Sequence, residues 1–257
     1  SKRLARLTML QHYITSYLKN FKLMIEKGDK IEDNSIEKLY LGDCIQYMRT
    51  LKSESVDLCV TDPPYKLTSG GCKGGLKIGM NTITQKQKES GVMFEIPPFY
   101  RWMDELFRIM KNKTHFYCMS NQKNLKQMII DGEKVGFKVL NILVWDKGMH
   151  TPLPYYMQNV EFVILFRKGN ALKINNMGSQ ALISIKGIRG NKKHPSEKPI
   201  GLFKHFIENS SKEGDLVIDP FMGSGTGYFS AKETKRRFTG CEISEFHFNR
   251  MIETDVI

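Results

Sequence analysis

The chain contains no stretch approaching the roughly 20 consecutive apolar residues that a membrane-spanning helix requires. No short apolar core follows the basic Lys2, Arg3 and Arg6, as it would in a secretion signal, so an intracellular protein is expected. Cysteine is scarce. The five present, Cys44, Cys59, Cys72, Cys118 and Cys241, are scattered, odd in number and never spaced C-x-x-C, which argues against a disulfide framework and suggests no zinc site. Carboxylates are the minority charge: 27 Asp and Glu against 39 Lys and Arg leave +12. Such a balance favours a polyanionic partner, because neutralising phosphates releases condensed counterions. Charge alone does not choose among DNA, RNA and anionic membranes. At 257 residues the chain can bury one substantial core but is too short for two full domains with linkers.

Residues 9 to 25 place Leu10, Ile14, Tyr17, Phe21 and Met24 at alternating steps of four and three, the stripe of an amphipathic helix. This marks residues 1–35 as an N-terminal helical extension that packs on the domain, with nucleic-acid binding or dimerisation open through its basic end. From residue 36 to 257 the pattern is that of one catalytic-sized domain. Lys38 to Leu41, Val56 to Thr61, Thr114 to Met119, Ile142 to Trp145, Phe162 to Phe166, Leu216 to Ile218 and Phe238 to Cys241 read as strands. Helices are expected at Cys44 to Leu51, Phe99 to Met110, Asn124 to Val135, Ile200 to Asn209 and Thr226 to Thr234. Apolar strands alternating with helices indicate an α/β protein whose largely parallel sheet is covered on both faces and binds ligands at the carboxyl ends of its strands. Two stretches break this rhythm. Lys66 to Pro98 holds six glycines, five lysines and two glutamates, and Arg167 to Lys193 holds seven basic residues and no acidic one. The first is long enough to be a functional or disordered loop and the second reads as a surface insertion suited to phosphate contact, which makes both candidate nucleic-acid-contacting segments.

Thr61-Asp62-Pro63-Pro64-Tyr65 directly follows the apolar run 56–60, so Asp62 falls where a buried strand ends. The two prolines fix the backbone and remove two amide donors. The Asp62 carboxylate and the Pro63 carbonyl remain as acceptors beside the Tyr65 ring, the groups that would hold an exposed amino group. An exocyclic amine conjugated to a base is a poor nucleophile because its lone pair is delocalised. Two acceptors taking its hydrogens favour pyramidal geometry and aim the lone pair at a methyl donor, while a tyrosine ring stacks on a base that has left the duplex. The plainer alternative is a strand ending in a proline turn. A second motif, Asp219-Pro220-Phe221-Met222-Gly223-Ser224-Gly225-Thr226-Gly227, again follows an apolar strand, and its glycines permit a tight turn and close backbone approach to a ligand. It has neither the lysine of a phosphate loop nor G-x-G-x-x-G spacing. Glu242 follows at the end of the next strand, where a carboxylate suits a ribose diol.

Together, with Leu41-Gly42-Asp43-Cys44 and His194-Pro195-Ser196-Glu197-Lys198-Pro199, these motifs resemble the amino-methyltransferases of DNA, from about Leu39 to about Arg250. D-P-P-Y before D-P-F-x-G-S-G resembles the permuted beta group. The resemblance implies a Rossmann-like methyltransferase fold with a mostly parallel seven-stranded sheet in circularly permuted motif order. It also implies S-adenosylmethionine as cofactor, no metal, and direct transfer of its methyl group to N6 of adenine in double- or single-stranded DNA. Asp62, Pro63, Pro64 and Tyr65 would form the catalytic centre. Asp43 with Cys44 would lie at the cofactor adenine and Glu242 at the ribose. Asp219, Phe221, Gly223, Ser224 and Gly225 would shape the methionine pocket beside Asp62, and Ser196 and Lys198 would close it from the other side. A cytoplasmic enzyme of prokaryotic or phage origin, of the restriction-modification type, is the matching setting, with a second copy of the chain as a candidate partner and no membrane.

N4 of cytosine is the competing target, and the leading aspartate of D-P-P-Y leans toward adenine. A non-catalytic nucleic-acid-binding subunit retaining the fold is the reading from another class, opposed by the intact Asp62, Tyr65, Gly223 and Glu242. Carbon-5 methylation would need an attacking thiol, commonly in a Pro-Cys dipeptide, and none is present. The segment Trp145 to Tyr156, with Lys147, His150, Tyr155 and Tyr156, reads equally as a wall of the base pocket and as a locally packed connection. Two departures stand out: the family usually continues G-S-G-T-T where this chain has Thr226-Gly227, and only about thirty residues separate Phe166 from His194, where beta-group enzymes place a target-recognition segment.

Overall fold

The structure, a computed structural model, describes residues 37–64, 98–151, 156–170, 172–188 and 197–255. The expected helix at 9–25, Tyr65, nearly all of the stretch 66–98 and Ser196 lie outside the described residues. Each apolar run forms the strand its pattern predicts: β1 (Glu37–Leu41), β2 (Val56–Thr61), β3 (Met110–Ser120), β4 (Lys138–Thr151), β5 (Gln158–Lys168), β7 (Leu216–Asp219) and β8 (Arg237–Glu242). Between and after them lie α1 (Cys44–Thr50), α2 (Phe99–Ile109), α3 (Leu125–Val135), α4 (Ile200–Ser210), α5 (Thr226–Glu233) and α6 (Glu245–Asp255). The sheet runs β1-β8-β7-β2-β3-β5-β4-β6, where β6 is Leu182–Ser184, and is parallel except for β5, which pairs antiparallel with both neighbours.

The expected count of seven strands is corrected to eight. The additional strand, β6 (Leu182–Ser184), pairs parallel with Val144–Asp146 of β4 at the sheet edge. Three residues are too few for an alternating pattern to register, and the partner strand supplies the ladder that local sequence does not announce. Helix α6 also went unforeseen: Phe248 and Met251 are its only buried residues, a stripe too sparse to read as a period.

Successive side chains of a strand face opposite sides of the sheet. On β3, Phe116 packs against Trp102 of α2, Phe137 and Phe166, while Tyr117 stacks on Phe206 of α4 with centroids 4.6 Å apart. Helices α1, α2 and α3 therefore cover one face and α4 and α5 the other. Helix α2 buries Trp102, Met103, Leu106 and Ile109 from a single stripe. Each such side chain contributes roughly 1.5–3 kcal/mol when withdrawn from water. Among the described residues no helix is long and apolar enough to cross a membrane.

The basic stretch 167–193 is more anchored than its composition suggests. The Lys168 ammonium donates to the Phe107 and Met110 carbonyls at the end of α2 (2.8 and 2.7 Å), and Asn175 donates to the Asn209, Glu208 and Ser211 carbonyls around the end of α4. Both groups satisfy carbonyls that a helix terminus leaves without partners.

Candidate active site

Strands β2 and β7 are parallel neighbours in the register Leu58↔Val217 and Cys59↔Ile218, so they end together and bring Asp62 and Asp219 to the same edge of the sheet. The Thr61 hydroxyl, fully buried, donates to Oδ1 of Asp219 (2.6 Å), and the Phe221 amide donates to the same oxygen (3.0 Å). These bonds fix the carboxyl. Trp102 braces the Phe221 ring edge-on with centroids 5.2 Å apart. Burial pushes the Asp219 carboxyl up to about 7, against the pull of its two hydrogen bonds and with added repulsion from Asp62 and Glu242.

Pro199 caps the start of α4, and the Lys198 carbonyl accepts from the Thr226 hydroxyl (3.2 Å), which ties the starts of α4 and α5 together. Lys198 thereby extends its ammonium to Oδ2 of Asp62 at 2.5 Å, and lies 3.5 Å from Oε2 of Glu161 on β5. Oδ1 of Asp62 is buried and accepts no hydrogen bond from the described residues. Burial pushes this carboxyl up, the Lys198 ammonium opposes the shift, and Glu161 adds to it. Burial also disfavours the charge of Lys198, but the two carboxylates outweigh it and hold its pKa above the usual lysine value.

Asp62, Lys198, Phe203, Asp219, Phe221, Met222, Gly223, Ser224 and Thr226 line one open cleft. Thus the two motifs and the lysine of the third segment converge on one place. The described residues of the other candidates stand around it. Pro63 is buried and Pro64 exposed beside Asp62. Gly225 is the α5 N-cap in the left-handed region (φ 83°), where an added Cβ would meet Met251 Cγ at 2.5 Å, so its side-chain-free backbone serves the packing of α6. Glu242 accepts from the Gly223 and Ser244 amides (both 2.8 Å), tying the glycine turn to the end of β8. Asp43 caps α1 by accepting from the Gln46 amide (2.9 Å). Cys44 is buried at the start of that helix, its thiol pushed up to about 12 by burial first and by Asp43 second. The β1–β8 register Leu41↔Glu242 sets this pair beside Glu242, along the same sheet edge as the cleft.

Glu161, Thr61 and Phe203 were not foreseen as site residues. Glu161 carried a readable signal, a lone carboxylate inside the apolar run 160–166. Phe203 carried none, because its place in the cleft depends on how α4 packs. Of the segment Trp145 to Tyr156, the Trp145 indole donates to the Ile185 carbonyl (2.7 Å) and Lys147 meets Glu161 at 3.3 Å, whereas Tyr156 is 88 % exposed.

The chain that builds this cleft is similar to known proteins over most of its length. The model of the N6/N4 methyltransferase family, described as a DNA methylase, matches residues 56–253. The Type II methyltransferase M2.DpnII of Streptococcus pneumoniae is 29 % identical over 226 residues, covering 79 % of this chain and 84 % of that protein. The crystal structure of the M1.HpyAVI–SAM complex superposes with a TM-score of 0.62 at 21 % identity, covering 85 % of this chain and 99 % of that one. PvuII DNA methyltransferase, cytosine-N4-specific, superposes with a TM-score of 0.64 at 20 % identity over 83 % and 84 % of the two chains. With the family model spanning both the strand end at Asp62 and the turn after Asp219, the chain belongs to the N6/N4 DNA methylase family.

Proposed function

We propose that the protein transfers a methyl group from S-adenosylmethionine to N6 of adenine in DNA, with Asp62 as the acceptor that holds the target amine. The observation that carries this reading is the asymmetry of the Asp62 carboxyl: Oδ2 is engaged by Lys198, while Oδ1 is buried without a partner at the cleft. A buried acceptor left unpaired is costly, and a donor from a bound ligand removes that cost.

The cleft suits S-adenosylmethionine better than a nucleotide. Its one lining cation, Lys198, is already engaged by two carboxylates, so no basic nest for phosphate is present among the described lining residues. The Asp219 carboxyl and the Ser224 and Thr226 hydroxyls offer polar contacts for an amino-acid tail, and Phe221 and Phe203 offer apolar walls. When bound, S-adenosylmethionine would supply an electrophilic methyl on sulfonium sulfur: the amine nitrogen bonds to that carbon as the carbon–sulfur bond breaks, S-adenosylhomocysteine leaves, and the methylated amine gives up one proton to solvent. Asp219, Phe221, Gly223, Ser224 and Gly225 form the methionine side of this site, with Ser196 beside Lys198. Glu242 keeps lone pairs for ribose hydroxyls beyond its two backbone bonds, and Asp43 with Cys44 borders the adenine end.

In the reacting complex, Oδ1 of Asp62 and the Pro63 carbonyl take the two amine hydrogens, and Tyr65 stacks on the flipped base. Proximity and alignment supply most of the acceleration, since a bound, oriented amine needs no covalent enzyme intermediate. Cys59 and Cys118 take no part: both are fully buried and burial pushes their thiols well up.

A labelled-methyl assay on unmethylated DNA followed by nucleoside analysis tests the reading. N6-methyladenine is expected; N4-methylcytosine would redirect it to the other branch of the family. Asp62→Ala is expected to abolish transfer while largely sparing cofactor affinity, and full activity in that variant would remove the assigned role.

A further inference from the structure

Four side chains of alternating charge run from the sheet into the cleft. Lys147 of β4 lies 3.3 Å from Oε1 of Glu161 on β5, Glu161 Oε2 lies 3.5 Å from the Lys198 ammonium, and Lys198 lies 2.5 Å from Oδ2 of Asp62. All four side chains are at most 19 % exposed. Glu161 is the directly opposed neighbour of Trp145, whose indole is pinned to the Ile185 carbonyl, so its backbone is held against β4. Formal charges along the row cancel.

Partial burial makes the geometry of this row consequential, because the attraction between its members is screened less than at the surface. An ammonium facing one carboxylate alone would settle between both oxygens of that carboxylate. Glu161 supplies a second anion 3.5 Å from the Lys198 ammonium, whose pull competes with that of Asp62 for the position of the ammonium. We propose that Glu161, itself held by Lys147, is a positioning residue that confines Lys198 to Oδ2 of Asp62 and so keeps Oδ1 open to the target amine. This rests on the reading of Asp62 as the amine acceptor. Glu161 acts through Lys198 and touches neither base nor cofactor.

The charged and titratable groups facing Asp62 are Lys198 ahead of α4, Glu161 on β5, Asp219 on β7 and the Cys118 thiol on β3. Glu161→Gln keeps the shape and removes one negative charge from this set. Lys198 then shifts more of its attraction to Asp62, which weakens Oδ1 as an acceptor, and the lost repulsion lets Asp62 ionise at lower pH.

The experiment compares the full-length wild type, Glu161→Gln, Lys147→Met and Asp62→Ala, using labelled methyl transfer to unmethylated DNA across pH, cofactor binding by calorimetry and thermal melting. For Glu161→Gln, kcat is expected to fall about tenfold to a hundredfold, the range found for residues that orient a reacting group from behind. Its cofactor affinity should be unchanged, and the acidic limb of its kcat profile should move to lower pH. Lys147→Met should show the same changes to a smaller degree, and it carries the test if Glu161→Gln does not fold. A merely structural role would lower the melting temperature without moving the acidic limb. Wild-type kcat and an unmoved limb in folded Glu161→Gln, or in Lys147→Met if only that variant folds, would overturn the proposal while an inactive Asp62→Ala left the Asp62 reading intact. Full activity in Asp62→Ala would instead overturn that reading and the proposal with it.

Discussion

Asp219 shows how one residue can serve a site at a cost to the fold. Its folded pKa of about 7 lies above the ordinary carboxylate value of 3.8, mainly through burial. Between those two values the folded state therefore holds a proton that the unfolded chain has released, so this residue's stabilising contribution is complete below about pH 4 and is lost as pH rises toward 7. The slope reaches at most about 1.4 kcal/mol per pH unit for one proton. Asp219→Asn retains an acceptor for Thr61 and Phe221 but cannot ionise. Melting curves of the cofactor-free protein from pH 5 to 8 are expected to show the wild type losing ground to Asp219→Asn as pH rises; parallel curves would contradict the assignment. Cofactor affinity in the same variant should fall, because the charge available to an ammonium is gone.

Helix starts and ends decide how the site residues are presented. Gly227, in the first turn of α5, departs from the family's usual second threonine, and an added Cβ there would lie 2.9 Å from Oδ2 of Asp219. The missing side chain makes room for the carboxyl. Gly227→Ala gains helix propensity of about 1 kcal/mol yet must displace Asp219. Its melting temperature should thus change little while its cofactor affinity drops, which calorimetry can read. At the end of α2 the Lys168 ammonium is consumed by two carbonyls, so Lys168→Met is expected to destabilise the fold by about 1.5–3 kcal/mol in a denaturant titration. The salt dependence of DNA binding in that variant should match the wild type, since this cation is not free for phosphate.

Across the whole molecule the excess of +12 should make DNA binding strongly salt-dependent, with log K falling linearly in log salt. If the stretch 167–193 contacts DNA, it does so through its exposed members rather than through Lys168. Lys173 and Lys186 are both exposed. Replacing either by alanine is expected to reduce the slope by about 1 if the stretch contacts the phosphate backbone, measured by fluorescence anisotropy on a duplex. An unchanged slope in both would remove the stretch from the DNA interface. The rest of the proposed interface, including 66–97, lies outside the described residues.

Seven strands, five helices and the clustering of D-P-P-Y with D-P-F-x-G-S-G at one sheet edge were legible because they depend on local information: apolar periodicity, prolines and glycines at strand ends, and motif order. Asp62, Asp219 and Lys198 could be named from sequence for the same reason. Their common cleft follows from the parallel pairing of β2 with β7, which the doubly covered α/β pattern anticipates only in general terms. What sequence could not supply was any relation set by packing between distant elements. Phe203 and Trp102 acquire their places through α4 and α2, β6 exists because β4 offers it a ladder, and Lys168 is diverted from solvent to a helix end. The row Lys147, Glu161, Lys198 and Asp62 joins four segments, and only the fold brings their charges within reach of one another. Local periodicity determined the elements and the chemistry of the motifs, whereas the tertiary structure decided which oxygen of Asp62 meets Lys198, because that choice depends on distances between charges that no local pattern encodes.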